Sequence, residues 1–193
     1  DGSDPILISK RWLEEAEKTE LNDANAMALA SVDQAGMPNV RMVLLKEIDE
    51  TGFIFYTNYN SVKATEIFDS GKVALVMHWK SLRRQIRVRG EVEKTSEEQA
   101  DKYFNTRSLN SRYGAIASEQ SKPLSSRDEL TKRVSAVMKS TSGNPERPKY
   151  WGGFKIKPIE IELWADGEDR LHNRFRYTGG STNHEWNSQR LFP

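Results

Sequence analysis

The sequence predicts an α+β fold: a mainly antiparallel sheet or barrel with helices inserted at its periphery. Three observations predict it. Short apolar runs of strand length recur along most of the chain. Neighbouring runs are joined by Gly-bearing turns of about four residues. Neither a βαβ rhythm nor a Gly-x-Gly-x-x-Gly fingerprint is present, which argues against a Rossmann site.

Each element follows from its local pattern. Residues Ile6 to Glu20 carry Ile8, Trp12, Leu13 and Ala16 near one stripe, the spacing of a helix. From Ala26 the pattern changes to the runs Ala26–Val32, Val40–Ile48 and Phe53–Thr57. The turn signals Asp33-Gln-Ala-Gly36 and Asp49-Glu-Thr-Gly52 separate them, so they read as an antiparallel meander. Ser61–Phe68 reads as one short helix, and Val73–Trp79 and Gln85–Val92 resume strand character. Ser96-Glu-Glu-Gln99 and Ser126-Arg-Asp-Glu129 are capping-box patterns that open two further helices. Ser140–Lys149, rich in Ser, Gly and Pro, reads as a loop. Beyond it Phe154–Trp164, Arg170–Tyr177 and Glu185–Leu191 read as extended. There is no internal repeat and no low-complexity segment.

Composition bounds the function. A length of 193 residues favours one domain spanning the whole chain. The mean hydropathy of −0.74 is low for a compact monomer, and a polar ligand site or a large surface would each account for it. Basic residues number 29 and acidic residues 28, so no global field points to nucleic acid or an anionic membrane. The absence of cysteine excludes disulfides, thiol nucleophiles, thiolate metal sites and iron–sulfur clusters, and it suits a reducing cytoplasm. With His78, His172 and His184 the only histidines, no His-rich metal site is expected. No run approaches the roughly 20 apolar residues that span a bilayer, and no secretory signal precedes Asp1. The expectation is a soluble cytoplasmic domain that binds neither nucleic acid nor membrane.

Four constellations are chemically suggestive. If Arg170–Tyr177 is a strand, its period of two puts Arg170, His172, Arg174 and Arg176 on one face. Such a face is either a solvated edge or a wall for a phosphorylated or electron-rich ligand. On a continuous helix, Tyr103, Arg107 and Ser111 follow at steps of four along one stripe. Two hydroxyls and a guanidinium suit a phosphate monoester, although Tyr and Arg on a helix more often pack or face solvent. Arg41-Met-Val-Leu-Leu-Lys46 is an apolar strand bracketed by cations, which snorkelling ends would also explain. Tyr56-Thr-Asn58 with Ser61-Val-Lys63 lies at a strand-to-helix junction. That junction is either an anion cradle or a helix N-capped by Asn58 or Ser61.

In order and spacing these segments resemble the pyridoxine/pyridoxamine 5′-phosphate oxidase family across nearly the whole chain. The matching elements are Arg41-Met-Val-Leu-Leu-Lys46, Phe55-Tyr-Thr-Asn58, Arg84-Gln85, Tyr103-Phe104, Arg107, Ser111 and Gln120-Ser121. They continue with Trp151-Gly-Gly-Phe154, Trp164, Arg170-Leu-His-x-Arg174-Phe175 and the terminal Arg190-Leu-Phe-Pro193. The resemblance implies an FMN-binding split β-barrel that works as a homodimer, with two flavin sites at the subunit interface. It assigns flavin contacts to Arg41, Met42, Val43, Leu44, Leu45, Lys46, Tyr56, Thr57, Lys63, Gln85, Gln120, Ser121, Trp164 and Arg174. It assigns the substrate phosphate to Lys46, Tyr103, Arg107 and Ser111, and sets Arg170 and His172 against the pyridine ring as the catalytic pair. The implied reaction is oxidation of pyridoxine or pyridoxamine 5′-phosphate at C4′ by O2, giving pyridoxal 5′-phosphate and H2O2.

One departure stands out. Family members commonly carry Ser-Arg-Lys where this chain has Ser61-Val62-Lys63. A charge-assisted bond contributes roughly 1.5–3 kcal/mol, so the missing Arg implies weaker flavin binding unless another cation substitutes. Two rival readings are a related flavin oxidase of phenazine biosynthesis and a non-catalytic flavin- or haem-binding split-barrel protein. Tyr103, Arg107, Ser111, Arg170 and His172 favour the vitamin B6 substrate, because a phosphate clamp has no purpose for a non-phosphorylated ring.

Overall fold

A computed structural model describes residues 4–179 and 185–193; His184 lies outside them. Helix α1 (Pro5–Thr19) starts where the Asp4 carboxylate accepts from the Ile6 and Leu7 N–H groups, with Pro5 in the first turn, where a missing donor costs nothing. Strands β1 (Ala26–Val32), β2 (Pro38–Asp49) and β3 (Gly52–Asn58) form the expected meander. Helix α2 (Val62–Ser70) follows and stops at Gly71, whose φ of 65° is the left-handed conformation that ends helices. Strands β4 (Lys72–Trp79) and β5 (Arg84–Lys94) then lead to helices α3 (Glu97–Thr106), α4 (Leu109–Ala117) and α5 (Arg127–Thr141). The chain closes with β6 (Trp151–Ala165), β7 (Asn173–Gly179) and β8 (Trp186–Leu191).

The sheet runs β3-β2-β1-β4-β5-β6-β7-β8, and an additional β3–β6 pairing closes its first six strands into an antiparallel barrel. Strand β6 makes both the closure and the split. Its first half, Trp151 to Ile156, pairs with β3, and its second half, Glu160 to Ala165, pairs with β7. Alternation on β1 and β4 sends Met27, Leu29, Leu75 and Met77 inward, while β3 is buried almost throughout. The core they share with Leu45, Phe53, Phe55, Ile86 and Phe154 is closed by Trp79, whose indole N–H donates to the Ala24 carbonyl at 2.7 Å. Each such side chain stabilises the fold by roughly 1.5–3 kcal/mol when fully buried.

The two glycines of Trp151-Gly-Gly-Phe154 have a steric cause. A Cβ on Gly152 would lie 2.3 Å from the Tyr59 hydroxyl oxygen, and one on Gly153 would lie 2.6 Å from Thr95 Oγ1. Aromatic side chains therefore sit directly on the β6 backbone there.

The fold corrects three expectations. The last basic segment is not a strand from Arg170: Glu168–Arg170 is a single 3-10 turn, with Asp169 and Arg170 at φ 52° and 65°, and β7 begins at Asn173. Asp166-Gly167 is a turn signal that reverses the chain after β6, so the alternation does not reach back to Arg170 or His172. Tyr103, Arg107 and Ser111 do not share one continuous helix. Thr106 Oγ1 donates back to the Tyr103 carbonyl, Arg107 is non-helical, and the Ser108 hydroxyl caps a new helix by accepting from the Ser111 N–H. Three helices therefore stand where two were expected. Ser96 and Ser126 do cap α3 and α5, accepting from the Gln99 and Glu129 N–H groups. The return bond of a capping box gives way to Gln99–Glu47 and Glu129–Arg133 contacts. No helix among the described residues is long and apolar enough to cross a membrane.

Candidate functional site

A cavity of about 850 Å³ opens where β2, β3, the start of α2, the α3–α4 break and residues 118–121 meet. Its floor holds a buried cation. Lys63 lies in the first turn of α2, only 8% exposed, and its Nζ donates to Thr57 Oγ1 at 3.1 Å, Ser61 Oγ at 3.2 Å and Gln120 Oε1 at 3.0 Å. All three partners are neutral, and no carboxylate pairs with Lys63 among the described residues. Burial, and secondarily repulsion from Arg41, push its pKa down to about 8, with Glu66 opposing. Ser121, at φ 75°, accepts the Val62 N–H at 3.3 Å and so bonds the exposed start of α2. Lys63, Ser121 and the start of α2 thus converge on one side of the cavity. The capping alternative is weaker: Ser61 makes no side-chain cap bond, and Asn58 accepts only from the Asn60 N–H.

Arg41 is held by a buried network. Its guanidinium bonds Glu66 at 3.0 Å, Ser31 Oγ at 2.5 Å and the Leu29 carbonyl at 3.2 Å, while Glu66 also accepts from Asn39 at 3.0 Å and from Ser31. Burial alone would raise the Glu66 pKa, but the hydrogen bonds from Asn39, Ser31 and Arg41 hold it below the ordinary value. The alternate β2 residues Val40, Met42 and Leu44 are 65%, 63% and 40% exposed and line the cavity with apolar surface. Lys46 continues that alternate row into the cavity, beside the register shift between Leu45 and Glu47.

The far wall carries the helical residues. Tyr103 stacks on Tyr56 with centroids 3.9 Å apart, and burial pushes the Tyr56 phenol up to about 12, keeping it neutral. Arg107 lies 4.8 Å from the centre of the Trp151 ring, and its Nη1 is buried without a hydrogen-bond partner. Burial pushes the Arg107 pKa down, with Tyr103 opposing. Ser111 and Ser108 share a 2.8 Å hydroxyl contact on the same wall. The broken helix thus still delivers Tyr103, Arg107 and Ser111 to one cavity.

Six expected site residues do not line the cavity: Leu45, 1% exposed, faces the barrel core instead, and five more lie elsewhere. Gln85, Trp164 and Arg174 occupy one row across β5, β6 and β7, each in register with the next. The His172 ring packs 4.6 Å from the Trp164 ring, and its Nδ1 lies 3.2 Å from Asp166. Arg170 is exposed. Arg174 is ion-paired to Glu162 at 2.9 Å, while Arg176 donates to the neutral amide of Gln189 at 2.7 Å, so part of the charge of the basic segment is paired locally. None of the five lines the cavity. Trp151 and Trp164 stand at opposite ends of β6, roughly 40 Å apart along an extended strand at about 3.3 Å per residue. One chain does not bring both groups to one point.

Sequence reasoning missed the Glu66–Ser31–Asn39 support of Arg41 and any role for Trp151. The first was accessible through hairpin register: the Asp33–Gly36 turn pairs Ser31 with Asn39 and Leu29 with Arg41. The second depends on a contact between segments more than forty residues apart, which carries no local signal.

The profile described as pyridoxamine 5′-phosphate oxidase matches residues 13–140, and that described as the pyridoxine 5′-phosphate oxidase C-terminal dimerisation region matches residues 151–193. Pyridoxine/pyridoxamine 5′-phosphate oxidase of Cereibacter sphaeroides is 59% identical, covering 100% of this chain and 96% of the relative. The protein of the same description in Ruegeria sp. is 57% identical with the same coverage. Among solved structures, PhzG from Burkholderia lata 383 in complex with tetrahydrophenazine-1-carboxylic acid superposes with a TM-score of 0.93. It is 30% identical, covering 100% of this chain and 94% of that one. A pyridoxamine 5′-phosphate oxidase-related, FMN-binding protein from Nostoc punctiforme, 17% identical with a TM-score of 0.79 over 98% of this chain and 97% of that one, shares the fold.

Proposed function

The chain belongs to the pyridoxine/pyridoxamine 5′-phosphate oxidase family, and from that premise we propose that it oxidises both phosphorylated B6 vitamers to pyridoxal 5′-phosphate with FMN as cofactor. One observation carries the reading. A single cavity holds two separate anion receptors, the Lys63 ammonium with only neutral partners and the Arg107 guanidinium with a buried, unmatched donor. A flavin mononucleotide and a phosphorylated pyridine bring two phosphates. Burial of uncompensated cations is costly, and two bound phosphates complete both sites.

The donor set fits FMN. Lys63, Thr57, Gln120, Ser121 and the start of α2 suit its phosphate, while Arg41, Met42, Val43, Leu44, Lys46 and Tyr56 flank the space for the ring. Lys46, Tyr103, Arg107 and Ser111 take the substrate phosphate. FMN held in the cavity would supply the two-electron oxidation at the substrate C4′ carbon, with O2 as the final acceptor and H2O2 as its product. The protein binds and orients. Arg107 and Tyr103 hold substrate and transition state alike through the phosphate. Arg170 and His172 hold the pyridine ring and assist proton movement at C4′.

Gln85, Trp164, Arg170, His172 and Arg174 reach that cavity only from a second copy of the chain. We infer a homodimer whose two sites each combine the β2–α2–α4 wall of one copy with the β6–β7 end of the other. The match of residues 151–193 to a dimerisation region supports this, as does the apolar, exposed row Val40, Met42 and Leu44 beside the cavity.

The related phenazine-type reading is disfavoured by similarity: the oxidases of Cereibacter sphaeroides and Ruegeria sp. are 59% and 57% identical to this chain, against 30% for PhzG. The test is a visible spectrum of the FMN-loaded protein before and after anaerobic addition of pyridoxine 5′-phosphate. The flavin band is expected to bleach and to return with peroxide on admitting air. A band indifferent to that substrate refutes the proposal.

A further inference from the structure

We propose that Trp151 is the positioning residue of the substrate-phosphate clamp: its indole face holds the Arg107 guanidinium in place while leaving the guanidinium donors free. The inference rests on the assignment of Arg107 to the substrate phosphate and adds a residue that this assignment does not contain.

Arg107 sits in the break between α3 and α4, with an extended backbone at φ −72°, ψ 150°. No helical backbone fixes its side chain, and no carboxylate pairs with it among the described residues. The indole of Trp151 lies 4.8 Å from its Cζ, and the Phe104 ring lies 5.9 Å away. A carboxylate would hold the guanidinium equally well, but it would occupy the donors and cancel the charge that a phosphate needs. A π-face attracts the cation and consumes no N–H group. That accounts for a buried Nη1 with no partner beside a ring that orders it.

The platform is itself fixed. Trp151 is 6% exposed and opens β6, paired with Asn58 of β3. Its ring is nearly parallel to Tyr103, at 6.2 Å and 6°, and to Tyr56, at 5.7 Å and 11°; Phe104 meets it edge-on at 5.2 Å. Its carbonyl accepts from Arg147 Nη1 at 2.6 Å, and the same guanidinium bonds Asp101 at 2.6 Å and also Glu97, both on α3. Arg147 thus ties the Trp151 backbone to the helix that carries Tyr103. One ring then sets the positions of two clamp residues.

The experiment is a double-mutant cycle on the FMN-loaded enzyme with Trp151→Phe and Arg107→Ala, reading KM for pyridoxine 5′-phosphate and kcat separately. Trp151→Phe, which keeps a smaller ring with a weaker face, is expected to raise KM about three- to tenfold, with kcat within about twofold, as loss of uniform binding requires. In the Arg107→Ala background the same change is expected to raise KM by clearly less, because only the stack on Tyr103 is left to lose. An unchanged KM in Trp151→Phe, or the same rise in both backgrounds, overturns the platform while the phosphate assignment stands. An unchanged KM in Arg107→Ala alone overturns both. Trp151→Tyr carries the same readout if the Phe variant fails to retain FMN.

Discussion

Lys63 Nζ donates to Gln120 Oε1 at 3.0 Å, joining the first turn of α2 to a loop 57 residues later in the chain. The bond brings together two sides of the cavity around an ammonium that has no acidic partner in the described structure. Its depressed pKa follows from burial first and from repulsion by Arg41 second, with Glu66 opposing.

Affinity for FMN is expected to depend on this proton. The anion needs the ammonium form, so FMN binding weakens as pH rises through about 8, by up to about tenfold per pH unit. Lys63→Met is expected to weaken binding about ten- to hundredfold and to abolish that dependence; flavin fluorescence titrations across pH check both. The FMN-free protein has the opposite sign. From about 8 to the ordinary value of 10.5 the folded chain releases a proton that the unfolded chain still holds, so stability rises with pH across that window.

Val62 stands 48% exposed at the cavity, where family members commonly carry Arg. Val62→Arg is expected to tighten FMN binding by about ten- to hundredfold through one added charge-assisted bond. Equal dissociation constants in the two proteins would mean that another cation already supplies the contact.

Glu66→Ala removes the carboxylate that anchors Arg41, Ser31 and Asn39. Leaving the Arg41, Ser31 and Asn39 donors without their acceptor is expected to cost about 1–3 kcal/mol of stability, measurable by urea denaturation. In the wild-type protein the contribution of Glu66 is present above the ordinary carboxylate value of 4.5 and is lost as pH falls through its lower folded value. A substitution that leaves the denaturation midpoint unchanged would remove Glu66 from the support of the site.

A shared site allows complementation. His172→Ala and Arg170→Ala are each expected to lower kcat well beyond any loss of FMN, and Arg107→Ala mainly to raise KM. Mixing His172→Ala with Arg107→Ala subunits under exchange conditions puts both lesions in one site of each mixed dimer and none in the other. At low substrate, activity is then expected to recover to about a quarter of the wild-type value. No recovery on verified subunit exchange would place both halves of the site in one chain.

The strand runs and turns of the barrel were legible because their signals are local. Alternation marked β1 and β4, and the Asp33–Gly36 and Asp49–Gly52 turns set the meander. The same locality misled at two places. Steps of four residues made Tyr103, Arg107 and Ser111 look like one helix, while Ser108 capped a new one. Steps of two made Arg170 to Arg176 look like one strand, while Asp166-Gly167 turned the chain before it. In both cases a short polar side chain or a glycine captured the backbone, and such local competition is invisible to a periodicity.

By itself the sequence determined which side chains were available, the succession of strands along the chain, and the motifs whose combination marks the family. Tertiary structure alone decided that Lys63 is buried among neutral partners, that Arg107 rests on Trp151, and that Trp164, His172 and Arg174 gather at the opposite end of β6 from the cavity. The physical reason is that burial and pairing are properties of long-range contacts. They arise where the β3–β6 closure and the α3–α4 break bring distant segments together, and no window of sequence contains both partners.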